Sequence, residues 1–299
     1  MKLARQPGRA RRVRSVLLAA ALAAGLTAAQ VWARNEARRT LVVCADPNNL
    51  PFSDRAGHGF ENELAKLLAR DMHARIEYVW WAQRRGYVRH TLDEARCDVW
   101  PGVARGVERI STTQPYYRST YVFVARADKH LDRLSLDDPR LRSLVIGVQM
   151  IGDNAMNTPP AQALAARGIT SNVRGYMLYG DYGRANPPAA IVEAVAKGDI
   201  DVALVWGPLA GYFAQRSRVA LQLTPVSAQD PATENAMVYD VSMGVRRDRP
   251  ALFTEICADL EKDKPAIDAL LHRFHVPQSS ASAFNSASVR QIAATGATN

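Results

Sequence analysis

The sequence lacks the motifs of the common enzyme classes. It contains no G-x-S-x-G elbow, no phosphate loop, no G-x-G-x-x-G and no H-E-x-x-H, each of which marks a nucleophile, a phosphate-binding backbone or a zinc site. Of its six histidines, only His272 and His275 are close together, and two ligands are too few for a protein zinc site. We therefore predict that the chain is not an enzyme, has no catalytic residues and holds no metal or cofactor.

Long apolar runs are also missing. The first fourteen residues carry six positive charges and no acid, and the apolar run that follows covers only residues 16–26. A membrane-spanning helix needs roughly 20 apolar residues, whereas this charge and length pattern is typical of a signal peptide. We assign residues 1–33 to it and expect the mature protein in the periplasm. Removing its six charges from a formal +9 leaves about +3, which gives no indication of a nucleic-acid partner.

The order of apolar segments predicts two α/β lobes. A buried strand at residues 41–45 precedes an amphipathic helix that begins near Gly59, and two further strands follow at residues 76–80 and 98–103. This alternation implies a mostly parallel sheet covered by helices. The pattern restarts with strands at residues 144–148 and 201–205 and with helices bracketed by proline and glycine.

Two segments are expected to cross between the lobes, residues 121–125 and 237–245. The predicted boundaries are residues 40–124 with 236–277 for the first lobe and 125–235 for the second. Residues 278–299 form a C-terminal tail. Two such lobes leave a cleft at the carboxyl ends of their strands, where open α/β sheets bind ligands.

Several strings of the sequence resemble known proteins. DPNNLPF at residues 46–52, GFENELA at 59–65 and TQPYY at 113–117 resemble type II periplasmic solute-binding proteins. Longer strings resemble one subfamily, the quinoprotein-dehydrogenase-associated, XoxJ/MxaJ-like group. They are CADPNNLPFS (44–53), WWAQRRG (80–86), PYYRSTYVF (115–123), GVQ (147–149), NTPP (157–160) and VWGPLA (205–210).

This resemblance implies a function. Such proteins are non-catalytic periplasmic accessories of a PQQ-dependent methanol or alcohol dehydrogenase, encoded beside a c-type cytochrome. PQQ and a lanthanide or calcium ion are then expected in the partner enzyme only. The alternative is a solute-binding receptor that delivers a small ligand, other than an amino acid, to an ABC importer. Amino acids are excluded because Trp206 stands where the amino-acid binders have the aspartate that pairs with the ligand ammonium. That ammonium group would be desolvated there without a carboxylate partner.

The resemblance and the composition of the expected cleft together select the candidate residues. Arg109 matches the ligand-clamping arginine of the amino-acid binders, and Trp206 stands where they have an aspartate. Trp206 is expected either to line the cleft or to fill the core of the second lobe. Tryptophan, tyrosine and arginine dominate binding hot spots. The predicted cleft or partner-binding residues are Asp46, Asn48, Asn49, Phe52, Trp81, Arg84, Arg85, Arg105, Arg109, Tyr116, Tyr117, Asn154, Tyr182 and Trp206.

The three cysteines are Cys44, Cys97 and Cys257. In the usual strand order of this fold the first and third strands are neighbours, so a disulfide between Cys44 and Cys97 is geometrically plausible. Cys257 is then the spare thiol.

The signal pattern generates the first testable prediction. Because the apolar segment and its small-residue exits end there, we expect the secreted protein to begin between about residues 28 and 36. Intact-mass spectrometry of periplasmic protein measures this directly, and a mass that still includes Met1 contradicts it.

Overall fold

The structure is a computed structural model that describes residues 39–84, 86–150, 158–178 and 183–279. The predicted signal peptide lies outside these residues, as does the tail from residue 280. Within the part that the structure describes, no helix is long and apolar enough to cross a membrane.

The first lobe is built on one twisted sheet. Its strands are β1 (Thr40–Ala45), β4 (Arg75–Trp80), β5 (Val99–Ala104), β6 (Ser111–Thr112), β7 (Tyr117–Arg126) and β12 (Val238–Val245). The order is β4-β1-β5-β12-β7, with β6 paired to β12. The three strands β4, β1 and β5 are parallel, and β12 joins them antiparallel. A two-stranded ribbon, β2 (Asn48–Asn49) and β3 (Ser53–Asp54), follows β1.

Helices cover this sheet as the apolar spacing predicts. They are α1 (Phe60–Asp71), α5 (Pro250–Lys262) and α6 (Lys264–Arg273). Phe60, Leu64 and Leu68 of α1 are buried, which is the expected stripe of an amphipathic helix. At Gly59 a Cβ atom would lie 2.0 Å from the Phe52 carbonyl oxygen, so the close approach of the loop to the helix start requires glycine. Between β4 and β5 the chain forms a π-helical stretch, Arg89–Asp93.

The second lobe repeats the architecture of the first. Its elements after β7 are β8 (Ile146–Met150), α2 (Pro159–Ala166), β9 (Val173–Met177), α3 (Ala190–Lys197), β10 (Val202–Trp206), α4 (Gly207–Gln215) and β11 (Leu221–Pro225). The strand order is β9-β8-β10-β7, with β11 on the other side of β7. Strands β9, β8 and β10 are parallel. The predicted α/β class with mostly parallel sheets is confirmed.

Thr158 does not cap the helix that it precedes. Thr158 precedes α2, but its hydroxyl makes no capping bond and instead donates to the Gln149 carbonyl at 2.9 Å. Pro159 and Pro160 occupy the first two helical positions and have no N–H, so among the usual capping targets only the N–H of Ala161 remains.

The long strand β7 belongs to both sheets. Its first residues pair with β12, where Thr120 faces Val238, and its later residues pair with β10, where Val122 faces Val205. The exchange of partners falls at Tyr121, slightly before the predicted lobe boundary after residue 124. Only the pairing of the strands shows where β7 passes from one sheet to the other, because the apolar pattern of the sequence is continuous there.

A disulfide joins the first and third strands of the first lobe. Cys44 and Cys97 are bonded with their Cα atoms 5.5 Å apart, next to the pairing of Val43 with Val99. Tyr87, Leu92, Val103 and Ile110 pack around the bridge. Cys257 is a free thiol.

Loss of this disulfide should destabilise the first lobe. The bridge closes a loop with a sequence separation of 53 residues, so replacing Cys97 and Cys44 with Ser is expected to lower the free energy of unfolding by about 2–4 kcal/mol. Urea denaturation of the variant beside Cys257→Ser, a control that removes only the free thiol, measures the loss. Non-reducing peptide mapping that finds Cys257 bridged to either residue contradicts the assignment.

Candidate functional site

Open α/β sheets bind ligands at the carboxyl ends of their parallel strands, and we call the region between the lobes at these strand ends the cleft. The ribbon after β1 reaches the second lobe there. The Asn48 side-chain amide donates to the Arg184 carbonyl oxygen at 2.8 Å, and this ribbon also contacts the short helix Pro187–Ala189. The lobes therefore touch directly at this side of the cleft.

Asp46 organises the loop of the first lobe. Its carboxylate accepts from the backbone N–H groups of Asn48 at 2.9 Å and Gln83 at 2.8 Å, while the Asn49 amide donates to the Gln83 side-chain oxygen at 2.8 Å. Burial raises the pKa of Asp46, and the two N–H groups and the charge of Arg84 oppose that rise. Asp46 and Asn49 therefore hold the loop in shape, a common use of such side chains in turns.

The structure buries one carboxyl group that the sequence analysis did not select. Glu61, in the first turn of α1, is 3% exposed. One of its oxygens has no hydrogen-bond partner, and the other lies where a Cβ on Gly102 would meet it at 2.0 Å. The absence of a side chain at Gly102, near the end of β5, leaves room for the carboxyl group. Sequence reasoning missed Glu61 because acidic residues in a first helical turn are common for dipole reasons.

The environment of Glu61 favours its neutral form. Burial raises the pKa of Glu61 from 4.5 to about 8, and the nearby Asp46 charge adds to the shift. A carboxyl group removed from water without an ion partner is expected to retain its proton. Tyr116 and Tyr117 are buried beside it, and the Tyr116 hydroxyl donates to the Pro101 carbonyl oxygen at 3.0 Å.

Trp206 lies at the junction of the lobes. Although it ends β10 of the second lobe, its half-buried ring packs against the core of the first lobe. Its ring centroid is 5.3 Å from that of Tyr121 and 5.9 Å from that of Tyr239, both in edge-to-face geometry. Of the two alternatives, the structure therefore excludes a plug in the core of the second lobe. Phe52 packs on Phe60 in the core of the first lobe, with ring centroids 5.4 Å apart.

A second group of predicted residues lies near the disulfide. The half-buried ring of Trp81 is 5.2 Å from the Arg96 guanidinium and 5.2 Å from the His90 ring. Arg84 is exposed, and the Arg105 backbone N–H donates to the Asp240 carbonyl oxygen at 3.0 Å. We call Trp81, Arg84 and Arg96 the aromatic-basic patch. The sequence analysis did not select Arg96, because it approaches Trp81 only when the segment between them folds back on itself.

Arg109 does not extend freely into the cleft. Its guanidinium pairs with Asp93 at 2.6 Å, and its backbone has a positive φ of 76°. Arg85, Asn154 and Tyr182 lie outside the residues that the structure describes. Among the residues it does describe, no group of three or more His, Cys, Asp or Glu side chains could hold a metal ion.

The buried Glu61 generates a pH prediction. Between pH 4.5 and about 8, the folded protein keeps a proton that the unfolded chain has released. The free energy of unfolding therefore falls as pH rises through this window. Glu61→Gln is neutral at every pH, so it should be about 4 kcal/mol more stable than the wild type at pH 7.5 and close to it at pH 4.5.

Urea denaturation at the two pH values measures this difference. Glu63→Gln removes a half-exposed charge from the same helix and serves as the control. If Glu61→Gln is less stable than the wild type at both pH values, the inferred neutral state is wrong.

Comparison with known proteins places the chain among relatives that share its length and fold. No protein-family model matches the sequence. It is 36% identical over 245 residues to protein MoxJ of Methylorubrum extorquens, covering 80% of this chain and 81% of that protein. The crystal structure of MxaJ from Methlophaga aminisulfidivorans has a TM-score of 0.69 and 28% identity, covering 80% of this chain and all of that one.

The crystal structure of the periplasmic binding protein XoxJ from Methylobacterium extorquens has a TM-score of 0.65 and 34% identity. The match covers 81% of this chain and 100% of the XoxJ chain. These identities extend over both lobes. The chain therefore belongs to the family of MoxJ, MxaJ and XoxJ, within the type II periplasmic binding proteins.

Proposed function

We propose that this chain is a non-catalytic periplasmic accessory protein that binds and assists or activates a PQQ-dependent methanol or alcohol dehydrogenase. The observation that carries the proposal is its membership of the MoxJ, MxaJ and XoxJ family over both lobes. PQQ and a lanthanide or calcium ion would reside in the partner enzyme, which would work beside a c-type cytochrome. The chain itself would contribute a binding surface.

The aromatic-basic patch has the composition of such a surface. Trp81 keeps part of its ring accessible while Arg96 lies over it, and a tryptophan beside arginines is typical of binding hot spots. Packing against the cluster around the disulfide fixes the Trp81 backbone and ring. Little side-chain entropy is then lost when a partner covers it.

The charge of the patch specifies the kind of partner surface. The acids nearby are already engaged, since Asp93 pairs with Arg109 and Glu94 contacts His90. Arg84 and Arg96 therefore present positive charge that an acidic edge of the dehydrogenase could complement. Exposed charges of this kind steer association and set its orientation, and salt screens them.

A second candidate function rests on Glu61. A buried carboxyl oxygen without a hydrogen-bond partner could accept a hydrogen bond from a small ligand in the cleft. That would suit a solute-binding receptor of an ABC importer. Calorimetry with candidate solutes distinguishes this function from the proposed one, because an accessory protein requires no tight solute binding.

The proposed function predicts modest, salt-sensitive binding to the dehydrogenase of the same organism. Trp81→Ala should weaken the complex by at least ~1 kcal/mol, and Arg84→Ala should do the same while reducing the salt dependence. Biolayer interferometry at low and moderate salt measures affinity. Dye-linked alcohol oxidation, measured in parallel, reports whether the association changes the rate.

Arg133→Ala is the matched control, because Arg133 is 94% exposed and lies in the second lobe. It should leave the affinity unchanged. An absence of association and of any effect on the rate, together with tight binding of a small metabolite, would favour the receptor function instead.

A further inference from the structure

Helix α4 belongs to the second lobe, but one of its aromatic side chains, Tyr212, packs in the first. Tyr212 is buried in the core cluster of the first lobe. Its ring stacks on that of Phe274 at the end of α6, with centroids 5.8 Å apart and planes at 13°. The Arg216 guanidinium lies 3.5 Å from the Tyr212 ring centroid. A stacked pair with a cation over one face is a substantial fixed contact.

The chain beyond α6 continues across the same junction. We call residues 274–279 the C-terminal strap. The Ser119 hydroxyl donates to the Pro277 carbonyl oxygen at 2.6 Å, and the Ser279 N–H donates to the Arg118 carbonyl oxygen at 3.1 Å. Ser119 and Arg118 both belong to β7, the strand shared by the two sheets.

The strap also lies directly on α4. A Cβ on Gly211 would be 2.0 Å from the His275 carbonyl oxygen, and one on Gly207 would be 3.4 Å from the Pro277 ring. Glycine at these two positions of the helix allows the strap backbone to approach closely. The strap therefore contacts the second lobe at α4 and the shared strand at Ser119, while α6 anchors it to the first lobe.

Trp206 adds a contact at the same junction. It ends the strand immediately before α4, and its ring packs on the first-lobe core and between Tyr121 and Tyr239. Trp206, Tyr212 and the strap thus connect the second lobe to the first through side chains of the protein itself. These contacts need no bound solute.

We propose that the protein functions with its lobes held together by this internal clamp, formed by Trp206, Tyr212 and the C-terminal strap, and that no solute is needed to close them. The clamp replaces the bridging contacts that a solute would otherwise make between two lobes. A partner protein then meets a scaffold whose lobes are already fixed, and association requires no ordering of the lobes. This inference does not rest on the proposed partner.

Distance measurements between spin labels test the clamp in the isolated mature protein. Labels are placed at Arg89→Cys and Ser171→Cys, one exposed residue in each lobe, in a Cys257→Ser background that keeps the disulfide. Electron–electron double resonance should give one narrow distance distribution without any added ligand. Tyr212→Leu combined with Phe274→Leu should add a second distance in at least about 10% of molecules, because the stack is lost while apolar volume is retained.

Two further variants make the result decisive. A chain that ends at residue 276 removes the Pro277 ring from its place beside Gly207 and Gly211 of α4. It also removes the strap contacts to Arg118 and Ser119, and it should broaden the distribution. Phe253→Leu changes an aromatic residue that packs on the first-lobe core from α5 and should leave the distribution unchanged. The inference is overturned if the wild type already shows two distances, or if the Tyr212→Leu, Phe274→Leu protein and the shortened chain both keep its single distance.

Discussion

The sharing of β7 between two sheets is the constraint on which the rest of the structure depends. Its pairing with β12 through Thr120 and with β10 through Val122 leaves almost no free backbone between the lobes. Each sheet extends from this strand with parallel strands whose carboxyl ends face the other lobe. The cleft, the Asp46 loop and the Trp206 junction all follow from that geometry, because each lies at the end of a strand whose position β7 fixes.

Glu61 and Trp206 have opposite effects on the stability of the folded protein. Glu61 is a buried carboxyl group with an unpartnered oxygen, and such a group lowers stability at neutral pH unless something satisfies it. Trp206, in contrast, covers apolar surface of the first lobe with a side chain of the second. A solute receptor would use the first feature, and a fixed scaffold would use the second. The contacts of Tyr212 and the strap favour the scaffold, since they join the lobes through residues of the chain itself.

The partner-binding proposal has a different physical basis. The aromatic-basic patch is held by the core around the Cys44–Cys97 disulfide, so its rigidity comes from within the first lobe. The clamp fixes the second lobe relative to it. Under the two proposals together, the junction between the lobes is a structural joint and the outer surface of the first lobe binds the partner.

The sequence by itself determined the α/β class, the strand segments, the amphipathic helices and the family, because apolar periodicity and contiguous motifs are local properties of the chain. It also placed Asp46, Asn48 and Trp206 at strand ends. Only the tertiary structure decided that Glu61 is buried over Gly102, that Arg109 pairs with Asp93, that Arg96 covers Trp81, and that Tyr212 stacks on Phe274. Each of these is a contact between segments distant in sequence or folded back on one another, and its energy depends on burial and distance rather than on residue type alone.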